Sequence, residues 1–404
     1  MENNLIQGKI FPSLVKFALP VLLALFLQTL YGGVDLLIVG QFSNTANLSG
    51  VATGSMLTHA LTMIVTGLAM GLTIVVGQRI GEGRPAEAGK AIGAGIVLFT
   101  IVAILLTVIL YYGADSLTAL LQAPREAFAE TSTYIAYCGL GSIFIVAYNV
   151  LGAVFRGIGD SKTPLYTVLL SCVLNILLDL LLVAGYDLGA AGAAIATVIS
   201  QGFSVLISLW LIKRRVRLPF TFTTKHISWQ GSLMLQQLGL GVPIALQELL
   251  VGMSFLVLQG LVNTMGVNES AGIGVAEKLC GFIMLVPSAF MQSMAAFVAQ
   301  NMGARQIERS RKALAYGIKA SLVVGIFMGS FTFFKGDLLA GLFATQEPVI
   351  IAAHEYLKAY AIDTMLTAIL FCMMGYFNGC GNTFFVMLQG IVGAVVVRIP
   401  VAFL

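Results

Sequence analysis

The sequence predicts an all-α polytopic membrane protein built from two parallel six-helix repeats, the second incomplete, related by a pseudo-two-fold axis along the membrane normal. Three observations predict it. Of the 404 residues, 58% are hydrophobic and only 10% charged, where a soluble domain carries about 25% charged residues. Apolar runs of membrane-crossing length recur along the whole chain. The two halves of the sequence also echo each other at a nearly constant offset.

We read eleven spans: 14–40, 47–76, 90–113, 128–154, 163–185, 189–212, 233–264, 270–299, 312–334, 350–377 and 384–404. A span needs ~20 apolar residues at ~1.5 Å rise each, so the longer ones are expected to tilt or project beyond the bilayer. The first span carries Pro20, Gln28 and Asp35; the latter two are seven residues apart and share a helix face. Pro20, Pro243 and Pro287 fall inside spans, where kinks or broken backbone are expected. The first run is too long for a cleaved leader and lacks a small-residue cleavage site.

The offset between halves is 222 or 223. Pro20 matches Pro243; Gln78, Gly81 and Lys90 match Gln300, Gly303 and Lys312; Tyr134 matches Tyr356. The turn Arg156–Asp160 matches Asn378–Asn382. Between the halves lies the one sizeable linker. The expected division is therefore an N-terminal bundle over 1–213, a linker over 214–232 and a C-terminal bundle over 233–404. Position 404 aligns with about position 182, so a counterpart of span 189–212, a twelfth helix, is not expected within these residues.

An even number of spans per repeat makes the repeats parallel, the plan of many secondary transporters. Counting Lys and Arg in alternate segments gives seventeen on the side of the N-terminus and three on the other. That bias predicts a cytoplasmic N-terminus in a multi-pass protein of the cell membrane. With nearly all of its basic residues in or beside the segments between spans, the chain offers no nucleic-acid surface. No GxxxxGK[ST], HExxH or GxSxG is present. Cys138, Cys172, Cys280, Cys372 and Cys380 form no CxxC pair, and four of them lie in apolar runs, as buried thiols do. His59, His226 and His354 are too scattered for a metal site.

Carboxylates inside spans are the informative residues, because each costs roughly 2.5–3.5 kcal/mol at a helix centre. Asp35 and Asp179 stand in the first half, whose spans we read as free of Lys and Arg apart from Lys16 and Lys90 at their ends. Asn175 sits one turn before Asp179, on the same face. Thr197 lies in the small-residue run 189–200, where helix backbones can approach closely. We expect Asp35 and Asp179 to face each other and share a proton, with Gln28, Asn175 and Thr197 hydrogen-bonding around them. In the second half, Glu248, Glu277 and Asp363 are available, and Lys278 is expected to pair with Glu248 or Asp363 inside the bundle. Phe282, Met284, Phe290, Met291, Met294 and Phe297 stud the eighth span, as an adaptable wall or as ordinary packing.

Two six-helix repeats, the segment QRIGEGRPAEAGKA, the segment RGIGDSKTP and the first-span acid together resemble the multidrug and toxic compound extrusion (MATE) transporters, over nearly the whole chain. The resemblance implies a transporter rather than an enzyme. In its proton-coupled, DinF-like branch, the coupling roles would fall on Asp35 and Asp179, surrounded by Gln28, Asn175 and Thr197. In its sodium-coupled branch the comparable acids would be Glu248 and Asp363. The function so implied is export of amphipathic or cationic organic compounds by a monomer, in exchange for H+ or Na+, with no cofactor. A lipid-linked precursor flippase of the same superfamily would want a more basic cavity. A membrane-embedded transferase or protease would need a metal or nucleophile constellation.

Overall fold

The computed structural model describes residues 5–214, 218–262, 266–344 and 346–403. Arg215 and Arg217, counted above among the basic residues, and Leu404, the last residue of the eleventh span, lie outside the described residues. The first half comprises α1 (Ile10–Phe42), α2 (Thr45–Gly81), α3 (Pro85–Tyr112), a short α4 (Ala114–Leu120), α5 (Phe128–Leu140), α6 (Ser142–Ile158), α7 (Lys162–Asp179) and α8 (Gly189–Arg214). The second comprises α9 (Gly231–Val262), α10 (Val267–Ile283), α11 (Leu285–Gly303), α12 (Ile307–Ala340), α13 (Glu347–Gly379), α14 (Thr383–Ile391) and α15 (Ile399–Ala402). Among the described residues, ten helical stretches are long and apolar enough to cross a membrane, and α5 with α6 makes an eleventh if taken as one bent span. Their outward faces are apolar, with Leu37, Leu206, Val323 and Phe327 each more than 60% exposed. A soluble fold would bury such side chains; a bilayer solvates them.

The packing repeats as the sequence does. α1 lies against α7 as α9 lies against α14, α2 against α6 as α11 against α13, and α3 against α6 as α12 against α13. The halves meet where α2 crosses α9 and α11, and where α1 crosses α11. Met70, Ile74, Ile244, Ala295 and Ala299 form a buried cluster in that seam. At one end of the seam the backbones touch. A Cβ on Gly81 would stand 1.9 Å from the Gln300 carbonyl oxygen, and one on Gly303 would stand 2.1 Å from that of Gln78. These four residues are the repeat-related pairs noted above, and only glycine allows so close an approach.

The segments rich in Lys and Arg gather at that same end. Arg309 donates to the Gly8 and Gln7 carbonyls, Asn301 to that of Leu5, and Gln300 to that of Gly157. The linker folds back on the first half: Phe220 and Phe222 pack on the cluster formed by α2, α3 and α6, and His226 stacks on Phe222. We call this the basic end.

Of the three prolines expected to kink helices or mark broken backbone, one stands beside a break. Pro20 and Pro243 lie inside uninterrupted helices, and Pro287 sits in the first turn of α11, just past the break at Met284. A bend of 57° falls between α5 and α6 at Gly141, where no proline stands. A proline deletes one hydrogen bond, which a long packed helix absorbs when its neighbours hold the axis.

Candidate functional site

A cavity of about 720 Å³ opens among α1, α2, α6, α7 and α8 and reaches the seam, where Ile244, Glu248 and Met291 border it. That is the size of an ordinary small-molecule site. Two acids line its wall, Glu248 of α9 at the seam and Asp35 of α1; Asp35 is 7% exposed, and its Oδ2 accepts a hydrogen bond from Thr197 Oγ1 at 3.4 Å. Asp179, wholly buried, closes α7 behind that wall. The two carboxyl groups lie within hydrogen-bonding reach of each other. Neither Asp179 oxygen, nor Asp35 Oδ1, meets a donor among the described residues, and neither acid makes an ion pair there.

Local structure explains the placement. Immediately after Asp179 the chain widens into a π-helical turn, Leu180–Gly185, a device that re-aims the side chains next to it. α8 comes close because it is built of small residues and because Asn47 anchors its start. The Asn47 side chain, in the first turn of α2, accepts from the Ala190 N–H at 2.8 Å. Gly189, at φ +50°, brings its backbone against that amide, where a Cβ would collide at 2.2 Å. Thr197 stands two turns further along α8.

The rest of the expected shell is arranged differently. Gln28 lines the cavity but donates to the Tyr148 hydroxyl, not to either acid. Asn175 is buried one turn before Asp179, and its side-chain amide meets no partner among the described residues. In the second half, Glu248 borders the cavity, whereas Asp363 is exposed on α13 and accepts from Thr367 Oγ1 of its own helix at 3.3 Å. These two acids are not brought together. Lys278 is exposed on α10 and, among the described residues, pairs with neither of them, against the expectation of an internal ion pair. A long ammonium side chain on an outer helix face reaches polar surroundings more cheaply than it buries. Of the eighth-span residues, Met294 and Phe297 are core, and Met291 borders the cavity.

Several cavity residues escaped the sequence reading. His59, Tyr31, Gln201 and Tyr148 line it, but no periodicity marks them out from ordinary span residues. Arg156 lines it too; from the sequence, its segment reads either as a tight turn with helix-terminal charges or as a gating element.

The sequence model of the MatE family matches the chain twice, over residues 20–181 and 243–404. Among curated proteins, the chain is 25% identical over 394 residues to the probable multidrug resistance protein YpnP of Bacillus subtilis (strain 168), covering 98% of this chain and 88% of that protein. It is 25% identical over 417 residues to the multidrug export protein MepA of Staphylococcus aureus (strain NCTC 8325 / PS 47), with the same coverage. Among solved structures, it superposes with a TM-score of 0.92 and 21% identity on a multidrug resistance MATE family transporter in an outward-facing conformation, covering 99% of this chain and 89% of that one. A MOP superfamily transporter from Pyrococcus furiosus gives 0.93 at 21% identity, again over 99% and 89%.

Proposed function

Because the chain belongs to the MATE family, whose members are multi-pass transporters of the multidrug efflux type and not enzymes, we propose that it is a secondary active antiporter of amphipathic, often cationic, organic compounds, driven by protons. The observation that carries the coupling ion is the contact between Asp35 and Asp179. Two carboxylates in a low-dielectric wall cannot both ionise cheaply, so the pair holds a proton. That proton, carried by one carboxyl and donated to the other, serves two of the three oxygens that otherwise meet no donor among the described residues. A cationic substrate in the cavity competes for the same negative charge, and differential binding of the two lets each favour a different conformation. This reading places the chain in the DinF-like branch. The separation of Glu248 from Asp363 weighs against a sodium site between those two acids.

The two bundles, 1–213 and 233–404 with the linker between, would rock about the α2–α9–α11 seam. The basic end would face the cytoplasm, with the N-terminus, in the cell membrane, and the working unit would be one chain. The test is efflux of a fluorescent organic cation from vesicles under an imposed proton gradient and, separately, a sodium gradient. Efflux that follows only the proton gradient is expected; efflux that follows only sodium removes the reading.

A further inference from the structure

We propose that Arg156 is an anion-binding subsite at the basic end of the cavity, so that the substrates include amphiphiles carrying a carboxylate, sulfonate or phosphate group. Arg156 lies in the last turn of α6, and its side chain borders the same cavity as Asp35. Among the described residues it makes no hydrogen bond and no ion pair, and its Nε is buried without an acceptor. The acid nearest in sequence, Asp160, is committed elsewhere: it accepts from the Lys162 and Thr163 amides and from the Thr163 hydroxyl. Asp35 is too distant to serve as counter-ion. Gln28 on α1 touches Tyr148 on α6. Asp35 lies seven residues from that contact toward one end and Arg156 eight residues toward the other, roughly 20 Å apart at 1.5 Å per residue.

An unpaired guanidinium in such surroundings is costly, and a fork of five donors matches a carboxylate or phosphate in two-point fashion. The site is furnished for it. The guanidinium lies over Gly152, where a Cβ would sit 3.3 Å from Nη1, so the absence of a side chain leaves its approach open. Ser161, 1% exposed, borders the same cavity with a hydroxyl that has no partner among the described residues. The Tyr148 hydroxyl, which already accepts from Gln28, retains a proton to donate. A cavity with Asp35 near one end, Glu248 at the seam and Arg156, which pairs with neither among the described residues, near the other end suits zwitterions as well as simple cations.

The inference rests on the exporter reading but is tested apart from it, by equilibrium binding to purified protein in detergent. The probes are a zwitterionic rhodamine with a free carboxylate and its ethyl ester, which differ only in that anionic group. Wild-type protein is expected to bind the zwitterion, and Arg156→Gln to weaken it at least roughly tenfold more than the ester, the size of a lost charged hydrogen bond. Arg156→Lys should recover part of the loss. Equal weakening of both dyes, an unchanged zwitterion affinity, or wild-type protein that binds only the ester or neither dye overturns the subsite. Failure of gradient-driven ester efflux from vesicles would instead count against the exporter reading alone.

Discussion

At Asp35 and Asp179 the same side chain has two different surroundings. Asp35 keeps one oxygen on Thr197 and faces the cavity, while Asp179 is sealed behind it, where among the described residues its oxygens meet no donor. If a proton shared by the two couples transport, Asp35→Asn should abolish gradient-driven efflux, since an amide fixes the site in its neutral form. Asp179→Asn should do nearly the same, at expression levels close to wild type. Full efflux by either variant in the vesicle assay would reject the shared-proton site. The pH sign follows: acidifying the solution on the side from which protons enter favours the protonated pair and should raise the efflux rate. Of this site, the acids and Thr197 were legible in the sequence because a carboxylate in an apolar run is expensive wherever it points. The partner of Gln28 and the place of Arg156 were not legible, because a neutral amide, or a cation near a helix end, has several cheap solutions, and only the fold says which is taken.

Among the elements, the contact of α2 with α11 rests on backbone touching backbone. Gly81→Val and Gly303→Val would each put a side chain where a carbonyl oxygen already stands about 2 Å from the Cβ position. Overpacking of this kind costs about 1–3 kcal/mol. Both variants should melt several degrees below wild type and should raise thiol-reagent access at the basic end. Gly239→Ala, at a position with nothing within 4 Å, should melt at or above the wild-type temperature. The tether of α8 is a second weak point. Asn47→Ala leaves the Ala190 N–H without its acceptor at a buried position, which costs about 1–2 kcal/mol. It should also loosen Thr197 from Asp35, visible as a partial loss of efflux beyond that explained by protein amount.

For the whole molecule, the charge bias and the fold make one statement together. Segments bearing Lys and Arg converge on the end where Gly81 meets Gln300 and Arg309 binds the N-terminal strand of carbonyls, while Thr45 and the Asn47–Ala190 tether mark the opposite end. Single cysteines at Thr45 and Arg84, both exposed, in a background without the five native cysteines should label from opposite faces of the membrane, Arg84 from the cytoplasmic one. Labelling of both from the same face would undo the topology and, with it, the parallel relation of the repeats.

What the sequence by itself determined is the set of properties that follow from transfer energies and from counting. These are the helical membrane class, eleven spans to within a few residues, a repeat at an offset of 222 or 223, and two acids that had to be sheltered. Each is local or periodic, so no knowledge of neighbours is needed. Only the tertiary structure decided what touches what. It placed a bend of 57° at Gly141, left Asp363 and Lys278 exposed, gave Gln28 to Tyr148, and turned Arg156 into the cavity. Those outcomes depend on how close two helix backbones can come, and that is set jointly by glycines and small residues far apart in the chain, whose pairing no single stretch of sequence contains.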